Sequence, residues 1–167
     1  MNYLEELDNR EFGNAQEFII RERKKEIFVL DSSVIFKWFY SDNEKGTDIA
    51  GDLYKKAASR DYYFLSPELL IYELVNIFRF RANLSEKLLK NILEQIFSIL
   101  VFLKLDCESY IKSYSISRKI NCSIYDCIYI SMSDKYKAPL ITADKKLHKN
   151  ATENNLNVML LDEFAGI

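Results

Sequence analysis

Histidine is almost missing from this chain: His148 is the only one in 167 residues, and cysteine occurs three times, as Cys107, Cys122 and Cys127. A zinc site built from these two residue types lacks both the ligands and the spacing. The same scarcity argues against a serine hydrolase triad, because the serines after Asp31 have no base other than His148. An odd set of unpaired cysteines is expected of free thiols in a reducing compartment, packed as small, semi-buried hydrophobes. Two prolines and four glycines leave little room for a linker or a domain boundary. No glycine-rich phosphate loop or GxGxxG is present, which argues against nucleotide and dinucleotide enzymes. No run approaches the roughly 18 apolar residues of a membrane span. The opening residues, MNYLEELDNREFG, place acids where a signal peptide needs bases. A cytoplasmic protein with no membrane partner is the expectation. A basic excess is lacking too, since the formal net charge is -2. Polyanion-binding domains usually carry one, so any RNA contact must rest on a local basic patch and bound cations.

What is present is one domain's worth of chain with an ordinary apolar and charged content. Residues 1–26 are charged, with scattered apolar positions, and read as an extension ahead of the domain proper at 27–167. A helix docked on its own domain, a helix docked on a partner, and an unused leader all fit that segment. Ile27–Leu30 is short, apolar and β-branched and stops at Asp31, as a buried parallel strand entering a loop does. A short helix is expected from Val34 to Tyr40, and a longer one within Asp42–Ser59. Asp61–Leu65 reads as a strand, and Ser66-Pro67-Glu68 as the cap and first turn of a helix reaching about Arg81. Ser85 to Leu100, Cys107 to Lys119 and Cys122 to Tyr136 carry helical periodicity. Pro139–Thr142 and Val158–Leu161 are the last strands, with a short helix over Lys145–Asn150 between them. Strands alternating with helices predict an α/β fold: a three-layer α/β/α sandwich around a mainly parallel sheet.

Four acids stand out from this scaffold. Asp31 and Asp144 each follow a strand, and ligands of open α/β sheets bind outside the carboxyl ends of strands, where strand order reverses. Glu73 and Asp126 lie in apolar helical stretches, Leu69–Phe78 and Cys122–Ser131, where an acid is costly unless its charge is answered. Asp126 in particular is expected to be well buried. Two carboxylates about 4 Å apart repel by roughly 4 kcal/mol at an effective dielectric near 20. Four together require raised pKa values or a divalent cation. Oxygen ligands alone select magnesium or manganese over zinc. A cation held so acidifies a water and offsets the charge of a phosphodiester, with no side-chain nucleophile needed. Singly, each acid has a structural alternative. Asp31 and Asp144 are good helix N-caps, and Glu73 is placed to pair with Arg79 or Arg81.

With these segments laid out, the chain resembles the PIN-domain family, particularly its VapC-type toxin ribonucleases. The resemblance is carried by Phe28-Val-Leu-Asp-Ser-Ser-Val-Ile-Phe-Lys-Trp-Phe39 and Ser66-Pro-Glu-Leu-Leu-Ile-Tyr-Glu-Leu-Val-Asn76. Ser123-Ile-Tyr-Asp-Cys-Ile-Tyr-Ile-Ser131, Ala138-Pro-Leu-Ile-Thr-Ala-Asp-Lys-Lys-Leu147 and Val158-Met-Leu-Leu-Asp162 continue it. It implies a Mg2+- or Mn2+-dependent endoribonuclease with Asp31, Glu73, Asp126 and Asp144 as catalytic and metal-binding residues. It further implies supporting hydroxyls at Ser33 and Thr142, and Asn76 orienting Glu73. A homodimer, silenced by a small antitoxin protein, is implied as well. Two features depart from the pattern: the long N-terminal extension, and Lys145-Lys146 where many relatives place another acid, which points to one tightly held metal rather than two. RNA contacts would fall to Lys37, Arg79, Lys145 and Lys146, with Arg81 and Lys149 nearby. Trp38, Phe39 and Tyr40 are either a stacking surface or core. Two readings compete with a toxin: an RNA-processing nuclease, and a catalytically silent scaffold that binds RNA or protein. A haloacid-type phosphatase is disfavoured, because its Asp-x-Asp is broken by Ser33.

Overall fold

The structure, a computed structural model, describes residues 26–40, 46–81 and 84–164. The extension before Glu26, the Asp42–Lys45 start of the second expected helix and the last three residues lie outside that range. Among the described residues, five strands and eight helices alternate. In chain order they are β1 (Ile27–Leu30), α1 (Ser32–Phe39), α2 (Thr47–Ala58), β2 (Tyr63–Pro67), α3 (Leu69–Arg81), α4 (Glu86–Ile99) and β3 (Val101–Leu103). There follow α5 (Cys107–Ile120), α6 (Ile124–Tyr136), β4 (Leu140–Thr142), α7 (Lys145–Thr152), β5 (Val158–Leu160) and α8 (Leu161–Phe164).

All strand pairs are parallel, in the order β3-β2-β1-β4-β5. The chain builds outward from β1 through β2 to β3, then returns to the other side of β1 with β4 and β5. Strand order therefore reverses between β1 and β4, and the crevice above their carboxyl ends is where such sheets bind ligands. Both faces of the sheet are covered by helices, giving the α/β/α sandwich. This is why the central strands are apolar without alternation: Val29, Leu30, Leu140 and Ile141 are fully buried. Phe28, Tyr62, Phe64 and Phe164 pack together at the other end of β1 and β2, edge-on except for the tilted Phe28–Phe64 pair.

The expected mainly parallel sheet is found, with every described strand pair parallel. Three other expectations change. Ser66 and Pro67 belong to β2 rather than to a helix start: the buried Ser66 hydroxyl donates to the Leu30 carbonyl at 2.7 Å, and Pro67 pairs with Leu103. A tertiary hydrogen bond thus overrides a good local capping signal. Strand β3 and helix α8 escaped the periodicity, because Leu100–Leu105 continues the apolar spacing of α4 and Leu161 that of β5. The three cysteines are free, but Cys107 is exposed at the start of α5 while Cys127 is buried.

Candidate active site

Asp31 follows β1 directly and caps α1, its Oδ1 accepting from the backbone N–H groups of Ser33 at 2.8 Å and Val34 at 3.3 Å. Only 6% of the residue is exposed. Two hydroxyls also donate to it. Ser33 Oγ does so at 2.5 Å while accepting the Ala143 N–H at 2.9 Å. Thr142, fully buried at the end of β4, is the second, and its Oγ1 accepts the Asp144 N–H at 3.0 Å. Two successive backbone amides just past β4 thus reach Asp31, each through one hydroxyl. This seam ties the carboxyl ends of β1 and β4 together. Burial pushes the Asp31 carboxyl up from 3.8 to about 6, against the pull of these hydrogen bonds.

Glu73 projects from the second turn of α3 and is half-buried. Its carboxylate accepts from the Tyr129 hydroxyl at 2.6 Å and from the Ser32 side chain. Desolvation raises its pKa, and the charge of Asp126 adds to the rise. Asp126 sits in the first turn of α6, where Ser123 caps the helix: Ser123 Oγ accepts the Asp126 N–H at 3.1 Å and donates to its Oδ2 at 2.8 Å. It is half-buried rather than well buried, because the helix enters the core only at Cys127. The negative charges of Glu73, Asp31 and Asp126 all bear on Tyr129, whose pKa burial raises well above its usual value. Asp144 is exposed beyond β4, its carboxylate turned onto its own helix, accepting from the N–H groups of Lys146 at 2.7 Å and Leu147 at 3.0 Å.

The structure therefore brings Asp31, Glu73 and Asp126 within electrostatic reach of one hydroxyl, which bonds Glu73, and leaves Asp144 at the rim. The N-cap alternative for Asp31 and Asp144 is realised in both, and the pairing of Glu73 with an arginine is not. The hydrogen bonds to Glu73 come from Tyr129 and Ser32; Asn76 is exposed one turn away. Neither Tyr129 nor Ser32 stood out in the sequence, although the spacing of Tyr129, three residues past Asp126, places both on one helix face.

Among the described residues, no ion pair reaches any of the four acids, and no three of His, Cys, Asp and Glu stand close enough to hold a metal ion as placed. The donor chemistry nonetheless fits a hard cation: oxygen ligands only, one of them a buried carboxylate, with no lysine or arginine among the described residues answering the charge. Capping amides and hydroxyls occupy these oxygens instead. Lys145 and Lys146 are exposed beside Asp144, whereas Lys37 is half-buried on α1. Arg79 lies over the Phe80 ring at 5.1 Å, Arg81 over Phe36 at 5.9 Å, and Lys149 approaches Glu153 at 4.0 Å. Trp38 and Phe39 pack edge-on against Tyr54, and Tyr40 stacks on Phe36 at 4.9 Å, so these aromatics serve packing.

The family model of the PIN domain matches residues 28–153. No curated protein matches the chain in sequence. Solved structures share the fold. PAE2754 from Pyrobaculum aerophilum superposes with a TM-score of 0.61 at 17% identity, covering 86% of this chain and 97% of that one. VapBC2 from Rickettsia felis, bound to a DNA fragment from its promoter, gives 0.60 at 13% identity, with 80% and 98% covered. FitAcB from Neisseria gonorrhoeae gives 0.54 at 15% identity, with 80% and 96% covered.

Proposed function

Since this chain belongs to the PIN domain family, we propose that it is a Mg2+- or Mn2+-dependent endoribonuclease of the VapC toxin type. PIN domains are generally nucleases that depend on a divalent metal. The single observation that carries the reading is the buried Asp31 at the strand-order reversal, with Glu73 bonded to the neighbouring Tyr129 hydroxyl and the charge of Asp126 bearing on both Glu73 and Tyr129. A pocket that folds around unanswered negative charge is a cost to stability, and a cation site gives that cost a purpose.

In this reading Asp31, Glu73, Asp126 and, from the rim, Asp144 hold the cation. When bound, it offsets charge on the scissile phosphodiester and acidifies a water. Ser33 and Thr142 keep Asp31 aimed by donating to it, and Asp126 is held by Ser123. Lys145 and Lys146 meet the RNA backbone on the exposed side of Asp144, a point-charge role suited to lysine. Likeness to the VapBC2 and FitAcB folds, with the resemblance of the motifs, supports a small antitoxin protein as partner and a homodimer as the working form in the cytoplasm. No helix among the described residues is long and apolar enough to cross a membrane.

The test is cleavage of a labelled single-stranded RNA by the full chain with Mg2+, with Mn2+ and with excess EDTA. Cleavage should require the cation and disappear in Asp31→Asn and in Asp126→Asn. Undiminished cleavage in both variants would sink the reading.

A further inference from the structure

Tyr129 is among the largest fully buried side chains, with its ring in the core between α6 and the sheet and only 2% of the residue exposed. A phenylalanine would fill that space equally well, so the hydroxyl is what needs explaining. Buried tyrosine hydroxyls take a partner, and this one donates to Glu73 Oε2 at 2.6 Å, bridging α6 to α3 across 56 residues of sequence.

Two features make this more than a satisfied core hydroxyl. Tyr129 follows Asp126 by three residues, so one face of α6 carries an acid and, one turn later, the donor to the acid of another helix. The Ser32 side chain, in the first turn of α1 beside Asp31, also bonds Glu73. A glutamate side chain has three freely rotating torsions, and those of Glu73 are restrained by hydroxyls from the two helices that present Asp31 and Asp126. Ligand carboxylates are commonly aimed by such outer hydrogen bonds, and removing one typically weakens metal binding ~10- to 100-fold.

We propose that Tyr129 is a positioning residue, whose hydroxyl restrains the Glu73 carboxylate on the side of Asp31 and Asp126 and so raises its affinity for a hard cation. The proposal rests on the cation-binding part of the reading above, and not on RNA being the substrate.

The experiment is calorimetric titration of Mn2+ into the full chain carrying Tyr129→Phe, Glu73→Gln, both, or neither. Tyr129→Phe should weaken Mn2+ binding ~10- to 100-fold, and should add nothing on the Glu73→Gln background, because the hydroxyl acts through that carboxylate. A Tyr129→Phe chain that melts earlier yet binds Mn2+ as the parent does would reduce Tyr129 to a packing role and overturn the proposal. So would independent, multiplying losses in the double variant, or a parent chain that binds no Mn2+. Should Tyr129→Phe fail to fold, 3-fluorotyrosine at position 129 keeps the volume. Its fluorine resonance should shift on saturation with Mg2+ in the parent and not in Glu73→Gln; a resonance indifferent to Mg2+ in both overturns the proposal. A chain that binds Mn2+ in this Tyr129-dependent way but leaves RNA intact upholds the proposal and overturns the ribonuclease reading.

Discussion

Asp31 shows how one side chain can cap a helix and bury a charge with opposite consequences for stability. Its Oδ1 caps α1, a role that asparagine fills equally well, while its charge is buried. The folded carboxyl keeps its proton up to about pH 6, whereas the unfolded one has lost it above 3.8. Between those values the native state binds more protons, so stability falls as pH rises and then levels off above about 6. The difference between 3.8 and about 6 is worth roughly 3 kcal/mol. Asp31→Asn should therefore leave stability unchanged below pH 4, and raise it by up to about 3 kcal/mol above pH 6 in EDTA, while cleavage is lost. Urea denaturation of both chains at several pH values measures this, and an Asp31→Asn variant no more stable at pH 7 than the parent would contradict it. Adding Mg2+ should narrow the gap, because ligand binding to the native parent raises its apparent stability.

At the scale of elements, the site is a seam between the ends of β1 and β4, held by hydroxyls that each accept one amide of the turn after β4 and donate to Asp31. Ser33→Ala removes one such bridge, leaving the Ala143 N–H without its acceptor and Asp31 without a donor. A part-buried group left unsatisfied costs about 1 to 3 kcal/mol. The expected loss in urea denaturation is of that size, with faster hydrogen exchange at Ala143; a change of a few tenths would mean the seam is dispensable. These elements were legible in the sequence to different degrees. β1, β4, α3 and α6 announced themselves because each couples a long apolar signal to an abrupt end. The seam did not, because a hydroxyl's partner 110 residues away leaves no local trace. For the same reason Ser66-Pro67 read as a helix start: its capping pattern is intact, and only the Leu30 carbonyl, supplied by the neighbouring strand, recruits it to β2. Asp126 misled in the other direction, since an apolar window cannot show that its first turn lies at the helix mouth.

For the molecule as a whole, the order β3-β2-β1-β4-β5 does most to define the site. It puts the ends of β1 and β4 side by side, and so converts two acids 113 positions apart in sequence into neighbours across one crevice. Sequence alone supplied the two strand-then-acid segments but not their adjacency, which depends on the direction of the third crossover, from β3 to β4. The same molecule carries a formal charge of -2, so it gains nothing from a general attraction to polyanions, and in the proposed reading RNA binding must come from few phosphate contacts. Lys145 and Lys146, exposed at the start of α7 beside Asp144, are the basic pair nearest the crevice in sequence. Each single-strand phosphate neutralised contributes about -0.7 to the slope of log affinity against log salt. Replacing both lysines with alanine should flatten that slope by about 1.4, and weaken binding of all single-stranded sequences alike rather than alter which is cut. KM measured across a salt series for the parent and for the double variant reads this directly. A parallel pair of lines would place the RNA on another face of the sheet edge, away from α7.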